Sequence, residues 1–584
     1  MLENVALPLA RASSAGMGRR PLPFCAVALL AISTQSLAAI PLLDGGDELL
    51  RQQQRERQFQ QQQEQSPDVR LQSDIPPEQI GRLPLDEAPC FTIDRITLNG
   101  DQAERFAWAT QSAAGEHDSP IGRCLGVAGI NLVMKRVQNA LIEQGYITTR
   151  ILAGEQDLKS GTLVLTVIPG RIRAIRFAAD AGERATQWNA FPMSAGDLLN
   201  LRDIEQALEN LKRVPSAEAD IQITPSEGAD AQPGDSDLVV SWKQSFPLRL
   251  SLAADNAGTK ATGKEQGSVT LSADNLLGMH DLFYVSFNHD LAGHDNARGT
   301  QGKAVYYAIP FGYWQLSFSH STYTYHQSVA GANQTYIYSG DSSNSDIRLS
   351  RLLWRDAVSK TTVGIRGWQR SSSNFIDDTE IEVQRRRMAG WEINASERIF
   401  IKDATLDANI AYRRGTSALN SLPAPEEAFG EGTARPRLMT ADAQFNQPWT
   451  IANQSLRYTF VWRAQWNDTP LVPQDRFAIG GRYTVRGFDG ESLLSAERGW
   501  LVRNDLAVAL GGSGQEAYLG IDYGRVGGPT AEYLAGKQLA GAVLGLRGNY
   551  SGLAYDFFVG KPIDKPEHFR TATTTTGFNL SWSF

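Results

Sequence analysis

The chain has 584 residues, with 56 Lys and Arg against 64 Asp and Glu, for a net charge of -8. That length holds several domains or one large architecture with smaller attachments. The acidic balance argues against a nucleic-acid partner, which shows as a basic patch or a basic overall charge.

Arg19 and Arg20 precede the apolar run PLPFCAVALLAIS, and Ser36 and Ala38 offer a small-residue cleavage site. The run is too short to cross a bilayer, so residues 1–38 are expected to be a cleaved secretory signal. The residues before Met17 do not resemble the charged start of such a signal, which makes Met17 the expected initiator. Export places the mature chain in the periplasm, the outer membrane or the medium of a Gram-negative bacterium. Cys25 is lost with the signal, leaving Cys90 and Cys124 as an even pair in an oxidising compartment. No CxxC spacing or nearby His cluster suggests metal or redox chemistry, so a structural disulfide is expected. In the chain-entropy account a loop of this length contributes about 4 kcal/mol.

The segment 39–66 contains DELLRQQQRERQFQQQQEQ, good helix formers among which only Leu49, Leu50 and Phe59 can face a core. Its composition leaves a helix in an aqueous space and a disordered Gln-rich tail equally open. Residues 67–88 include Pro67, Pro76, Pro77 and Pro84 and read as an extended linker. In 89–169, FTIDRITLNG alternates as a strand and a helical stretch follows to about Ala114. Ile130, Val133, Val137 and Leu141 then fall at helical spacing, and YITTRILAG and GTLVLTVIPG read as strands. The segment 170–244 repeats that order: RIRAIRFAAD, an irregular WNAFPMSAG, the amphipathic NLRDIEQALENLKRV, then ADIQITPSEG and SDLVVSWKQ. Two tandem copies of a small α+β module, about 75–80 residues each, fit the pattern.

From residue 245 to Phe584 the helical signal gives way to strands. Trp314, Leu316 and Phe318 alternate with Gln315, Ser317 and Ser319; Tyr458, Phe460, Trp462 and Ala464 stand opposite Arg457, Thr459 and Arg463. The chain closes on Phe578, Leu580, Trp582 and Phe584 at every second position. A soluble β-sandwich or propeller alternates in the same way. The export signal, the aromatic last strand and the length of the region favour a transmembrane antiparallel β-barrel, and about 340 residues at roughly 20 per strand allow about 16 strands.

Motifs for chemistry are missing. No GxSxG elbow occurs, GGSGQ failing at its last position; HExxH is absent; and the seven histidines are scattered. The glycine-rich RYTVRGFDG lacks the GK[ST] ending of a phosphate loop. No catalytic residue, metal or cofactor is therefore expected. In YLGIDYGRV, an outward Leu519, Ile521 and Tyr523 turn Asp522 into the lumen between Gly520 and Gly524. The two glycines leave space for a loop tip, and Arg486 on an inward-folded loop 480–490 can pair with Asp522 through two bonds. Taken alone, both are better explained as ordinary lumen charges.

RYTVRGF resembles the VRGY/VRGF loop signature of two-partner secretion transporters, and GIDYG is similar to the acidic strand motif that pairs with it. These are the TpsB proteins of ShlB/FhaC/HecB type, in the superfamily that includes the BamA insertase. PCFTIDRITLNG, GRCLG and GYITTRILAG resemble the first POTRA domain of that family, cysteine pair included, and DNAGTKATGKEQGSVTLSADNLLGMHD its opening barrel hairpin. The resemblance implies a helix at 39–66 threading the pore, POTRA domains at 89–169 and 170–244, and a barrel over 245–584. It implies a loop latch of Val485, Arg486, Gly487 and Phe488 on Gly520, Asp522 and Gly524; Phe488 stands where many relatives have tyrosine.

The function implied is export of one large exoprotein (haemolysin, adhesin or contact-dependent toxin) through the outer membrane. The POTRA pair would recognise the cargo's N-terminal secretion domain, and no ATP would be used. The expected partners are that exoprotein, encoded nearby, the outer-membrane lipids and the barrel-assembly machinery, with the chain itself monomeric. The competing readings are a passive porin or receptor, a barrel-assembly insertase, and an outer-membrane lipolytic enzyme, the last disfavoured by the missing nucleophile elbow.

Overall fold

Sixteen antiparallel strands between Leu248 and Ser583 close into a barrel, the last, Thr575–Ser583, pairing with the first, Leu248–Asp255. The two-residue Thr379–Glu380 strand only extends one hairpin, because its neighbours Ser359–Ile376 and Arg386–Ile401 pair directly. The computed structural model describes residues 45–63, 67–71, 81–115, 118–227, 229–291 and 297–584. The expected signal segment, the start of the Gln-rich segment and the middle of the linker lie outside the described residues.

Alternation places the apolar side chains outside. Ile521 is 51% exposed on the barrel's outer face, whereas its neighbour Asp522 is 1% exposed inside. Trp314, Trp354, Trp582 and Phe584 ring the periplasmic strand ends, and Trp466 and Trp500 the opposite ends. Such aromatic girdles sit at membrane interfaces. No helix among the described residues is long and apolar enough to cross a membrane; the strands do the crossing.

Two α+β modules precede the barrel. In the first, strands Arg95–Gly100 and Arg150–Leu152 flank Thr162–Ile168; in the second, Arg171–Phe177 and Ala217–Pro225 flank Asp235–Gln244. The central strand is parallel to the first and antiparallel to the other in both. Helix α1 (Gly45–Gln63) lies ahead of the modules, α2 (Ala103–Phe106) and α3 (Val127–Glu143) belong to the first, and α4 (Leu201–Leu211) to the second. The 3.6-residue spacing of Val133, Val137 and Leu141 on α3 buries them on Leu163, Leu165 and Val167. Ile204, Leu208 and Leu211 on α4 pack likewise on Leu238, Val240 and Trp242. A side chain of this size contributes about 1.5–3 kcal/mol when fully buried.

Two local expectations need correction. FTIDRITLNG is two strands: Phe91–Ile93 pairs with Arg123–Leu125, and Arg95–Gly100 pairs with Thr162–Ile168. The chain changes partner at Asp94, where the amides of Asp94 and Arg95 both donate to the Gly161 carbonyl. YITTRILAG is extended only at Arg150–Leu152, whereas the stretch to Ala114 is helical as expected, α2 running on into a 3-10 helix, Ala107–Ala113. Cys90 and Cys124 are bonded and tie that first ribbon together, their Cα atoms 5.2 Å apart.

The modules are fastened to each other and to the barrel by apolar contacts, Leu282, Tyr284, Tyr306 and Ala308 of the barrel joining the core of the second module, and by polar side chains. Asn200 caps α4 by accepting from the Arg202 amide, and its Nδ2 donates to the Gln144 carbonyl at the end of α3. Asn210 Nδ2 donates to the Gly312 carbonyl at 2.8 Å, and Asn189 Nδ2 to that of Pro310 at 3.2 Å, seating the second module on a periplasmic turn.

Candidate functional site

The long loop between strands Gln454–Asn467 and Arg498–Ala509 folds back into the barrel. A short ribbon, Phe477–Ile479 with Leu494–Ala496, carries its tip. Val485 and Phe488 are buried there with Ile479, Leu494, Leu501, Val526, Leu539 and Phe569. Phe488 meets Phe569 edge to face, ring centroids 5.8 Å apart. The loop thus carries a small apolar core of its own, and its position does not rest on charge alone.

At the tip, Arg486 is 4% exposed. Its Nε donates to Asp522 Oδ2 at 2.7 Å, its Nη2 to Oδ1 at 2.8 Å and its backbone amide to Oδ2 at 2.9 Å. The guanidinium fork therefore matches the carboxylate in the planar two-bond arrangement that lysine cannot make. Asp505, on the adjacent strand, accepts from the same guanidinium, and Arg503 lies 3.8 Å from Asp522. Two carboxylates and a second arginine close the network, which keeps a buried charge from being left unpaired.

Glycines make room for it. A Cβ at Gly520 would lie 2.6 Å from Arg486 Nη2, and one at Gly524 2.8 Å from Val485 Cγ2. Gly487 has φ +98°, and a Cβ there would strike the Lys561 carbonyl oxygen at 2.5 Å. The opposing floor is glycine too: a Cβ on Gly541 would sit 1.9 Å from the Arg486 carbonyl oxygen, and one on Gly560 2.9 Å from Gly487 Cα. Loop backbone thus meets strand backbone with no side chain between. The structure brings Val485, Arg486, Gly487, Phe488, Gly520, Asp522 and Gly524 together at this one place. Sequence reasoning missed Asp505, Gly541, Gly560 and Phe569. Inward strand parity marks the first three as candidates, but the register that joins four strands at one level is not local.

Helix α1 lies in the lumen beside the loop. Arg51 Nε donates to the Gly490 carbonyl at 3.2 Å, and Arg55 Nη1 to Gln266 Oε1 at 2.9 Å. The Tyr323 hydroxyl donates to Glu48 at 2.7 Å, and Phe59 stands edge-on to Tyr284, which stacks on Tyr306. Leu49 and Leu50 are buried, but most of the remaining contacts are polar. A helix so held leaves no broad apolar stripe to desolvate or expose.

A closed barrel crossed by strands, an inward loop locked by one arginine, a helix in the pore and two POTRA-like modules define an outer-membrane transporter rather than an enzyme. Comparison with known proteins agrees. The family described as haemolysin secretion/activation protein ShlB/FhaC/HecB matches residues 234–548, a ShlB-type POTRA domain matches 91–170, and a POTRA domain matches 171–225. The chain is 40% identical over 553 residues to the outer membrane transporter CdiB-2 of Burkholderia pseudomallei, covering 91% of this chain and 93% of that one. It is 30% identical over 508 residues to the outer membrane transporter CdiB of Dickeya dadantii, covering 85% and 87%. The solved structure of CdiB from Acinetobacter baumannii superposes with a TM-score of 0.81 at 28% identity, covering 93% of this chain and all of that one. The chain belongs to the ShlB/FhaC/HecB family of two-partner secretion transporters, with its barrel in the outer membrane and its POTRA domains in the periplasm.

Proposed function

We propose that this transporter exports one large exoprotein, encoded nearby, to the cell surface without nucleotide. The observation that carries this reading is a pore occupied by two parts separate from its wall, helix α1, held largely by polar contacts, and the tip at Arg486, held by its ion pair and a small apolar cluster. A passive pore has no need of either. The POTRA pair takes the N-terminal secretion domain of the cargo by strand addition to a sheet edge or by packing beside a helix. Among strands of the second module, Ala217–Pro225 is a sheet edge for such pairing, as is Arg171–Phe177 beyond Ile172, which already bonds Gly196 and Asp197. Helix α1 leaves the lumen, the extended cargo passes, and its folding outside supplies direction. The chain works as a monomer in the lipid of the outer membrane, where the barrel-assembly machinery inserts it.

The test is secretion of the exoprotein encoded by the adjacent gene. Deleting the POTRA pair, residues 89–244, abolishes its appearance outside the cell; undiminished secretion by that deletion would refute POTRA recognition.

A further inference from the structure

Between α4 and the periplasmic mouth of the barrel lies a slot that already holds a peptide: linker residues Asp68–Leu71. The Val69 amide donates to Glu209 Oε1 at 3.0 Å and the Leu71 amide to Glu205 Oε1 at 2.8 Å, both carboxylates coming from α4. From the barrel side, Arg355 Nη2 donates to the Val69 carbonyl. The same arginine, side chain 3% exposed, pairs with Glu205 at 2.9 Å and with Glu209 at 3.0 Å. Every backbone group named is thus met by a side chain, so the slot reads main chain irrespective of sequence.

Side chains add a preference. Lys360 reaches Asp68 at 2.7 Å, and Arg398 bonds its other oxygen. Val69 and Leu71, two apart and therefore on one side of an extended chain, pack on the core of the second POTRA domain. Arg70 points the other way, its guanidinium 4.1 Å from the centre of the Phe400 ring. The slot accordingly favours an acidic residue, an aliphatic one, a third residue for which Phe400 offers a cation a ring face but no enclosing pocket, then a second aliphatic.

Its place is the lumen wall. On the strand of Lys360, Ile365 has the opposite parity and faces the lipid, as Ile393 does on the strand of Arg398. Lys360, Arg398 and Phe400 therefore project into the mouth through which an entering chain passes. A cavity of about 340 Å³ shares Arg355 with the slot and is lined also by Arg202 and Tyr313.

We infer that this slot is a binding site for the exported chain. An extended segment of the cargo with that pattern takes the place of Asp68–Leu71, and the linker is its tethered competitor. The inference rests on the export function proposed above. A tethered occupant has a high effective concentration, so a free peptide competes poorly, and only a segment itself held close at the barrel mouth displaces the linker. Displacement of the linker would in this way be coupled to arrival of cargo at the barrel mouth.

The test uses the full chain in detergent with Asp68–Leu71 replaced by Gly-Ser-Gly-Ser, and a fluorescein-labelled peptide SPDVRLQ followed by anisotropy. Saturable binding is expected, weaker by about tenfold or more for the peptide SPKVRLQ and for the chain carrying Glu205→Gln with Glu209→Gln. No binding, or equal binding of the two peptides to the unchanged slot, would overturn the inference. In cells, benzoylphenylalanine in place of Phe400 is expected to cross-link to the exoprotein during secretion. Cross-links to the linker alone while secretion proceeds would likewise overturn it. Absence of secretion by the unsubstituted chain would instead count against the export function, and the peptide titration would still decide the slot.

Discussion

Arg486 is one of many charges facing the lumen, yet it is distinguished by having three donors on a single carboxylate. Removing one partner of a buried, hydrogen-bonded pair costs about 3–5 kcal/mol, chiefly because the other charge stays buried. Arg486→Ala is expected to impair secretion strongly while a heat-modifiable barrel persists on gels. Arg486→Lys is expected to restore only part, since an ammonium cannot make the two-bond fork; full secretion by both would remove the latch from the mechanism. The glycine floor yields an independent test, because Gly541→Val places a side chain where the Arg486 carbonyl lies. That variant is expected to secrete as poorly as Arg486→Ala with its arginine intact, whereas normal secretion would show that the tip need not seat there. Of this site, Arg486 and Asp522 were legible because RYTVRGF and GIDYG resemble a paired loop and strand signature; glycine, aspartate and glycine at every second position mark only an inward face. Asp505 was not, because in RNDLAVA it is one lumen charge among several and only the register with Asp522's strand singles it out.

At the scale of elements, composition left α1 undecided between a solvated helix and a disordered tail; the structure shows a helix over Gly45–Gln63 whose partners are lumen side chains and the loop. The aqueous lumen resolves the choice, and no local pattern in the segment announces it. Deleting residues 45–63 is expected to raise single-channel conductance in planar bilayers while the barrel still forms; unchanged conductance would mean that the helix does not obstruct the pore. The barrel strands were legible from alternation alone, aided by their length and aromatic ends. The break at Asp94 was not, since the residues on both sides favour extended backbone and only the distant partners, Arg123–Leu125 and Thr162–Ile168, differ. The linker was recognisable from its prolines, but its docking on Glu205 and Glu209 depends on a helix and a barrel rim far away in sequence.

For the whole molecule, polar contacts recur where the parts meet, beside apolar packing of the loop tip and of the second POTRA domain on the barrel. The loop has a single arginine node, the helix a set of hydrogen bonds, the linker an ion-paired slot, and the POTRA domain asparagine contacts to the periplasmic turns. Such contacts exchange for water at small net cost compared with apolar surface of the same extent. Rigid closure resides in the strand ladders, which are continuous around the barrel. This division of labour suits export driven by the cargo itself, with the barrel as a fixed frame and its contents removable. The most direct measurement is translocation into proteoliposomes holding the purified chain with POTRA domains outward, offered the unfolded N-terminal part of the adjacent-gene exoprotein. Protease-protected cargo is expected to accumulate inside without nucleotide and to fall sharply with Arg486→Ala. Protection that requires ATP, or equal protection in liposomes lacking the chain, would contradict the account.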